Sequence, residues 1–215
     1  MRRFRLLISC SVLSGACVFG SVSGSGTVVT EPRTVSGVSA VSLSGSGKLI
    51  IEQTGVESLT VTTDDNLLPY IRTEMRGKRL EIGSTDSMTN LRPTRDVVFK
   101  LAVKSLEGLD VSGSGRVDAR GLNPDRLTVE ISGSGEVLSQ GAYNDLNLAI
   151  SGSGSYQGDQ MTGRRANVRI SGSGSAVIAA SERLNADVSG SGSVEYIGDP
   201  HVTQRVSGSG SVHRR

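Results

Sequence analysis

The 215-residue chain has no tryptophan, three phenylalanines and four tyrosines, so a core built on large rings is not expected and valine, leucine and isoleucine must fill the interior. Cysteine is as scarce. Cys10 and Cys17 both fall in the first twenty residues, and a chain cut behind them has no disulfide, thiol or cysteine metal site. His201 and His213 are the only histidines, and two imidazoles without cysteines do not make a zinc set. No apolar stripe of helical period extends over three turns beyond the N-terminal segment, which excludes a helical bundle.

Charge is also nearly absent as a net quantity. Lys and Arg number 23 and Asp and Glu 21, but Arg2, Arg3 and Arg5 stand in the first five residues. Without them the balance is 20 against 21, and the small clusters Arg164-Arg165 and Arg214-Arg215 read as solvated surface. Nucleic acid is therefore not an expected partner, because phosphate binding needs a concentrated positive face.

The three arginines precede an apolar run from Leu6 to Val18, the parts of a secretory signal and shorter than the roughly 20 apolar residues of a spanning helix. Residues 1–20 are expected to be a signal peptide, and the protein to be exported to the periplasm, outer membrane or cell surface. Two processing routes are open: cleavage after Gly20, or lipidation of Cys17. The run Leu13-Ser14-Gly15-Ala16-Cys17 resembles a lipoprotein box with Ser14 where leucine is usual. The second route would give the chain its one expected membrane contact, a lipid anchor.

What the chain does have is a repeat. Ser-Gly-Ser-Gly begins at Ser23, Ser44, Ser112, Ser132, Ser151, Ser171, Ser189 and Ser207, with steps of 20, 19, 20, 18 and 18 residues from Ser112 onward. A fixed period near twenty is the mark of a stacked repeat. Each regular tetrad follows a strand-like alternation, as in Leu127, Val129 and Ile131, which a flexible Gly-Ser linker does not need. Stacking places like residues in columns about 4.8 Å apart: Ile131, Ile150, Ile170 and Val188 inside, the tetrad serines outside. Counting by twos puts Gly133 and Gly135 on the buried side, at close approaches or corners of positive φ.

Residues 21–34, with the Ser23 tetrad, read as a linker or N-terminal cap, and 35–215 as one domain. Between Ser44 and Ser112 the pattern continues in degenerate form: Lys48 to Gln53, Ser58 to Thr62, Leu67 to Met75 and Arg79 to Ile82 read as strands, with a hairpin turn at Arg76-Gly77-Lys78. Ser84 to Arg95 reads as the longest loop.

Val61-Thr62-Thr63-Asp64-Asp65-Asn66-Leu67-Leu68, then Ile71-Arg72-Thr73-Glu74 and Gly77-Lys78-Arg79-Leu80-Glu81-Ile82, together with the Ser-Gly rungs, resemble the head GIN-domain family of bacterial auto-transporter adhesins. The resemblance covers about Val35 to Val212. It implies an all-β fold, a right-handed, single-stranded, pectate-lyase-like β-helix of about 20 residues per rung, and an envelope or surface location. It transfers no catalytic residue. Eight to ten rungs are expected from the length.

Motifs for chemistry are few. Gly45-Ser46-Gly47-Lys48 lacks the first glycine and the final hydroxyl of a phosphate loop, with Ser42 and Leu49 in those places. No cofactor and no metal are expected. One step before the last apolar residue of each rung stand Asp110, Glu130, Ala149, Arg169, Asp187 and Arg205, an outward ladder. Asp110 and Glu130 on neighbouring rungs could share a cation or a proton, as in polysaccharide-acting enzymes; Arg169, Asp187 and Arg205 alternate in sign and could pair. Two functions follow. The first is a non-enzymatic envelope module binding a surface, a glycan or a protein; the second is a polysaccharide-binding or polysaccharide-degrading protein on the same scaffold. The first is preferred because sugar sites stack on exposed rings, which are scarce here. Self-association through open solenoid ends is also expected, opposed by the charges of His213, Arg214 and Arg215.

Overall fold

The computed structural model describes residues 21–85 and 90–215; the signal segment and Cys17 lie outside the described residues. Its strands are β1 (Ser21–Ser23), β2 (Val28–Arg33), β3 (Ala40–Gly45), β4 (Lys48–Gln53), β5 (Ser58–Asp64), β6 (Ile71–Arg76), β7 (Arg79–Ser84), β8 (Asn90–Arg92) and β9 (Val98–Val103). There follow β10 (Gly108–Gly113), β11 (Arg116–Leu122), β12 (Arg126–Gly133), β13 (Glu136–Gly152), β14 (Ser155–Gly172), β15 (Ser175–Ala179), β16 (Arg183–Gly190), β17 (Ser193–Ile197), β18 (His201–Gly208) and β19 (Ser211–Arg214).

From β10 onward the chain coils as a β-solenoid of about five turns, with stacked coils about 20 residues apart. Each coil contributes a strand to each of two parallel sheets. In the first, Val111, Ile131, Ile150, Ile170, Val188 and Val206 lie in register. In the second, Val117, Val137, Tyr156, Ala176, Val194 and Val212 do the same. The columns are buried, apart from the last members at β18 and β19. Period-2 alternation and in-register stacking thus build one continuous aliphatic core.

The tetrad turns each coil from one sheet to the other, and its two glycines act differently. Gly152 has φ +113°, and a Cβ there would sit 2.6 Å from the Gly133 carbonyl oxygen. Gly154 needs no special φ; its Cβ would meet Ile131 Cγ2 at 2.5 Å. Only the second glycine of the tetrad is inside. Gly133, expected on the buried side, is exposed because the chain bends there, while Gly135 is buried as expected.

The solenoid makes fewer turns than the eight to ten rungs expected, because residues 54–107 do not coil onward. Layer β3–β4 stacks directly under β10–β11 despite the intervening residues 54–107. Strands β7 and β9 then add a layer on its other side, parallel to β3 and β4. That end is covered by antiparallel strands: β6 on β7 through the expected hairpin, β5 on β9, and β2 on β5. Part of the expected strand Leu67 to Met75 is instead a 3-10 helix, Asp65–Tyr70, with Pro69 inside it. The expected loop Ser84 to Arg95 contains β8, which pairs in parallel with β1.

The Ser23 tetrad is not part of the stack; it is clamped by the Asp64-Asp65-Asn66 run. The fully buried Asp64 carboxylate accepts from Gly26 N (2.9 Å), Thr94 N (2.8 Å) and Thr94 Oγ1 (2.7 Å). Asn66 Oδ1 accepts from Ser25 N at 2.9 Å, and Asn66 Nδ2 donates to Ser23 O at 2.8 Å. The Thr94 hydrogen bonds hold the Asp64 carboxyl below its ordinary value, against the opposing effect of desolvation.

Candidate binding surface

The outer face of the first sheet carries the ladder read from the sequence. Asp110, Glu130, Ala149, Arg169, Asp187 and Arg205 lie in register on successive strands from β10 to β18. Alternation along each strand turns them outward, because the residues on either side of each belong to the core columns.

Their contacts differ from those expected. Asp110 is engaged by the Arg79 guanidinium of β7, and among the described residues no side-chain hydrogen bond joins it to Glu130. Arg79 reaches it because β7 stacks two strands away, out of chain order. Arg169, Asp187 and Arg205 are stacked but form no ion pair within 4.0 Å; among the described residues the side chains of Glu130, Arg169, Asp187 and Arg205 have neither a hydrogen bond nor a salt bridge. The alternating signs do not close into pairs.

Two residues earlier on each strand runs a second column, Thr128, Asn147, Asn167, Asn185 and Thr203. Its amides form a ladder: Asn167 Nδ2 donates to Asn147 Oδ1 at 3.1 Å, and Asn185 Nδ2 to Asn167 Oδ1 at 2.8 Å. This column was missed in the sequence, although each asparagine stands four residues before a tetrad serine. Beyond it, Arg165 grips Asp145 with two hydrogen bonds of 2.7 and 2.9 Å. That grip lowers the Asp145 pKa and fixes the rim.

Between the two columns lies a groove of about 640 Å³, lined by both from Thr128 and Glu130 to Thr203 and Arg205. Ala149, between the long side chains of Glu130 and Arg169, keeps its middle low. Such a surface offers two unpaired guanidinium groups, two unpaired carboxylates and a rigid row of amides to a polar ligand. No ring lines it; Tyr143 and Tyr156 are in the core. Among the described residues no group of three His, Cys, Asp or Glu side chains could hold a metal ion.

The chain is matched over residues 38–200 by a family model described as "Putative auto-transporter adhesin, head GIN domain". The chain belongs to this family. Solved structures share its fold. A "putative adhesin" from Bacteroides fragilis NCTC 9343 has a TM-score of 0.73 and 21% identity, covering 90% of this chain and 100% of its own. A "putative lipid binding protein" from Parabacteroides distasonis ATCC 8503 has a TM-score of 0.61 and 24% identity over 91% and 99% of the two chains. A "putative adhesin" from Parabacteroides merdae ATCC 43184 reaches 0.57 at 21% identity, over 91% and 99%. No curated protein matches. The family gives the GIN-domain chain an adhesin-like character, and the solved structures add the fold.

Proposed function

We propose that this GIN-domain protein is an exported, non-catalytic binding module of the bacterial envelope or surface, and that the grooved face of its first sheet holds a polar ligand, a glycan or the polar surface of another protein. The observation that carries the reading is the row of unpaired side chains Glu130, Arg169, Asp187 and Arg205 beside the asparagine ladder. Charged groups at a protein surface commonly find partners within the chain, as Asp145 and Arg165 do here; those of the groove are left for a ligand. Amides at a fixed spacing of about 4.8 Å favour an extended, repeating ligand along the solenoid axis.

The engagement of Asp110 by Arg79 supports the non-catalytic reading, since it ties one of the two carboxylates that a hydrolase or lyase would use to a guanidinium and disfavours its protonated, general-acid form. The test is a glycan array read for binding, with an acidic-polysaccharide turnover assay on the same protein. Binding without turnover is expected. Turnover that disappears in both Asp110→Asn and Glu130→Gln would overturn the non-catalytic reading in favour of a polysaccharide-degrading enzyme.

A further inference from the structure

The charged groups on the outer face of the first sheet fall into two zones. In the layers of β7 and β10 they are paired: Asp110 with Arg79, and Glu81 with Arg76 at 3.3 Å. Glu81, Ser42 and Asp110 stand in the same column as Glu130 and Arg169. From β12 onward that column has no ion pair. The groove therefore begins where internal neutralisation stops.

A third outward column, two residues before the asparagines, runs Arg126, Asp145, Arg165, Arg183 and His201. The asparagine column thus lies between two rows of ions. Asp145 is held by Arg165. Arg183 is exposed, and among the described residues its side chain has no hydrogen bond and no ion pair. The free guanidinium groups change side from coil to coil: Arg169 in β14, Arg183 in β16 with Asp187 across from it, then Arg205 in β18 on the Arg169 side. Between β12 and β18 the three columns carry five arginines against three carboxylates, whereas residues 21–215 as a whole have 20 basic and 21 acidic side chains.

We infer that the groove takes a linear acidic glycan of 1,4-linked β-uronate sugars, one sugar per coil along the asparagines, whose carboxylates are bound in turn by Arg169, Arg183 and Arg205. This deepens the reading of the grooved sheet as the binding face and rests on it. Successive rings of an extended 1,4-linked β-glycan are turned over, so a carboxylate on each projects to left and right alternately. Each ring advances the chain by close to one coil, about 4.8 Å. An extended peptide does not match: its side chains recur on one edge every 6.6 Å, roughly, against about 9.6 Å for the two coils from Arg169 to Arg205. Single-stranded nucleic acid needs rings on which to stack its bases, and no ring lines the groove. The same lack denies a neutral sugar chain its apolar contact, which leaves charge-assisted hydrogen bonds to carboxylates as the source of affinity. Asp187 repels a carboxylate from the side opposite Arg183 and so sets the phase of the chain. Asn167, bonded to both neighbours, still keeps one N–H and one lone pair for ring hydroxyls.

The test is isothermal titration calorimetry of the full chain with a hexamer of β-1,4-linked mannuronate, and with the same hexamer after reduction of its carboxyls. The acidic hexamer should bind, at least about tenfold more tightly than the reduced one, and less tightly as salt is added. Arg183→Gln should weaken it roughly ten- to hundredfold, the loss of one charge-assisted contact, and Arg169→Gln by a similar factor. The thermal midpoint of each variant should stay with the parent's, since both side chains are exposed and unpaired. No binding of the acidic hexamer, equal binding of the reduced one, or an unchanged affinity in Arg183→Gln would each overturn the inference. A glycan whose binding depends on Arg169 and Arg205 but not on Arg183 would overturn it while leaving the grooved face as the binding site; hexamer binding insensitive to all three arginines would count against both.

Discussion

Replacing Gly152 by alanine probes the stacking of the tetrads where it is tightest. The residue sits at φ +113°, and the added methyl would lie 2.6 Å from the Gly133 carbonyl oxygen and 3.2 Å from its nitrogen. Those atoms belong to the layer below and cannot retreat without breaking the ladder between β12 and β13. Holding a non-glycine residue at such an angle costs about 1–2 kcal/mol, and forcing a methyl into a closed contact about 1–3 kcal/mol more. A loss of about 3 kcal/mol corresponds, at this chain length, to a fall of about 6–12 °C in Tm. Ser151→Ala next to it changes an exposed side chain and should stay within about 0.5 kcal/mol. Differential scanning calorimetry of the two variants measures both. A Gly152→Ala midpoint within about 2 °C of the parent, on the same scale, would refute the backbone contact on which the stacking argument rests.

Ile150→Asp places a carboxylate in the column between Ile131 and Ile170, where no partner is available, and should unfold several coils, read as loss of far-ultraviolet β signal. Tyr156→Phe should raise Tm or leave it unchanged, because the fully buried hydroxyl makes no hydrogen bond of good geometry and burial pushes its pKa up to about 12 against the opposing effect of the nearby Ser139 hydroxyl; a clear fall in the calorimetric midpoint would contradict this. Acid should weaken both the N-terminal cap and the coils. The carboxyls of Asp64, Glu57, Asp118 and Asp145 all titrate below their ordinary values in the fold, so their stabilisation is present above the ordinary carboxylate range and lost as pH falls through the lowered values. Midpoints should be flat near neutrality and drop below about pH 4, with a smaller drop in Asp64→Asn, whose midpoint is already lower at neutral pH.

The regular coils were legible because in-register stacking writes itself into the sequence as columns. Ile131, Ile150, Ile170 and Val188 each precede a tetrad by one residue, and the same arithmetic placed Glu130, Arg169, Asp187 and Arg205 outward. The asparagine column was as accessible by that count and was overlooked because uncharged residues suggested no chemistry. The N-terminal third was illegible for a different reason. Nothing in the alternation of Arg79 to Ile82 or Val98 to Val103 says that those strands lie beneath β3 and β4 and not above the preceding coil, and so the Arg79 partner of Asp110 was hidden. Leu67 to Tyr70 read as the start of a strand from its leucines, whereas Pro69 and the turn-forming Asp65 and Asn66 set a 3-10 turn that closes the clamp on Ser25 and Gly26. The pairing of Arg169 with Asp187 failed because register fixes only which strands are neighbours; the side chains of exposed ions are free to point apart.

The binding face is tested most directly by exchanging charge on one sheet at a time and measuring the full chain and its variants on the same glycan array. Arg169→Ala with Arg205→Ala alters the groove, whereas Glu195→Ala with His213→Ala alters the outer face of the last two layers of the second sheet. The account predicts that the first pair lowers the array signal at least tenfold, as expected for two lost charge-assisted hydrogen bonds of about 1.5–3 kcal/mol each, while the second leaves it unchanged. Equal loss from both pairs, or loss from the second alone, would contradict the assignment of ligand binding to the grooved sheet.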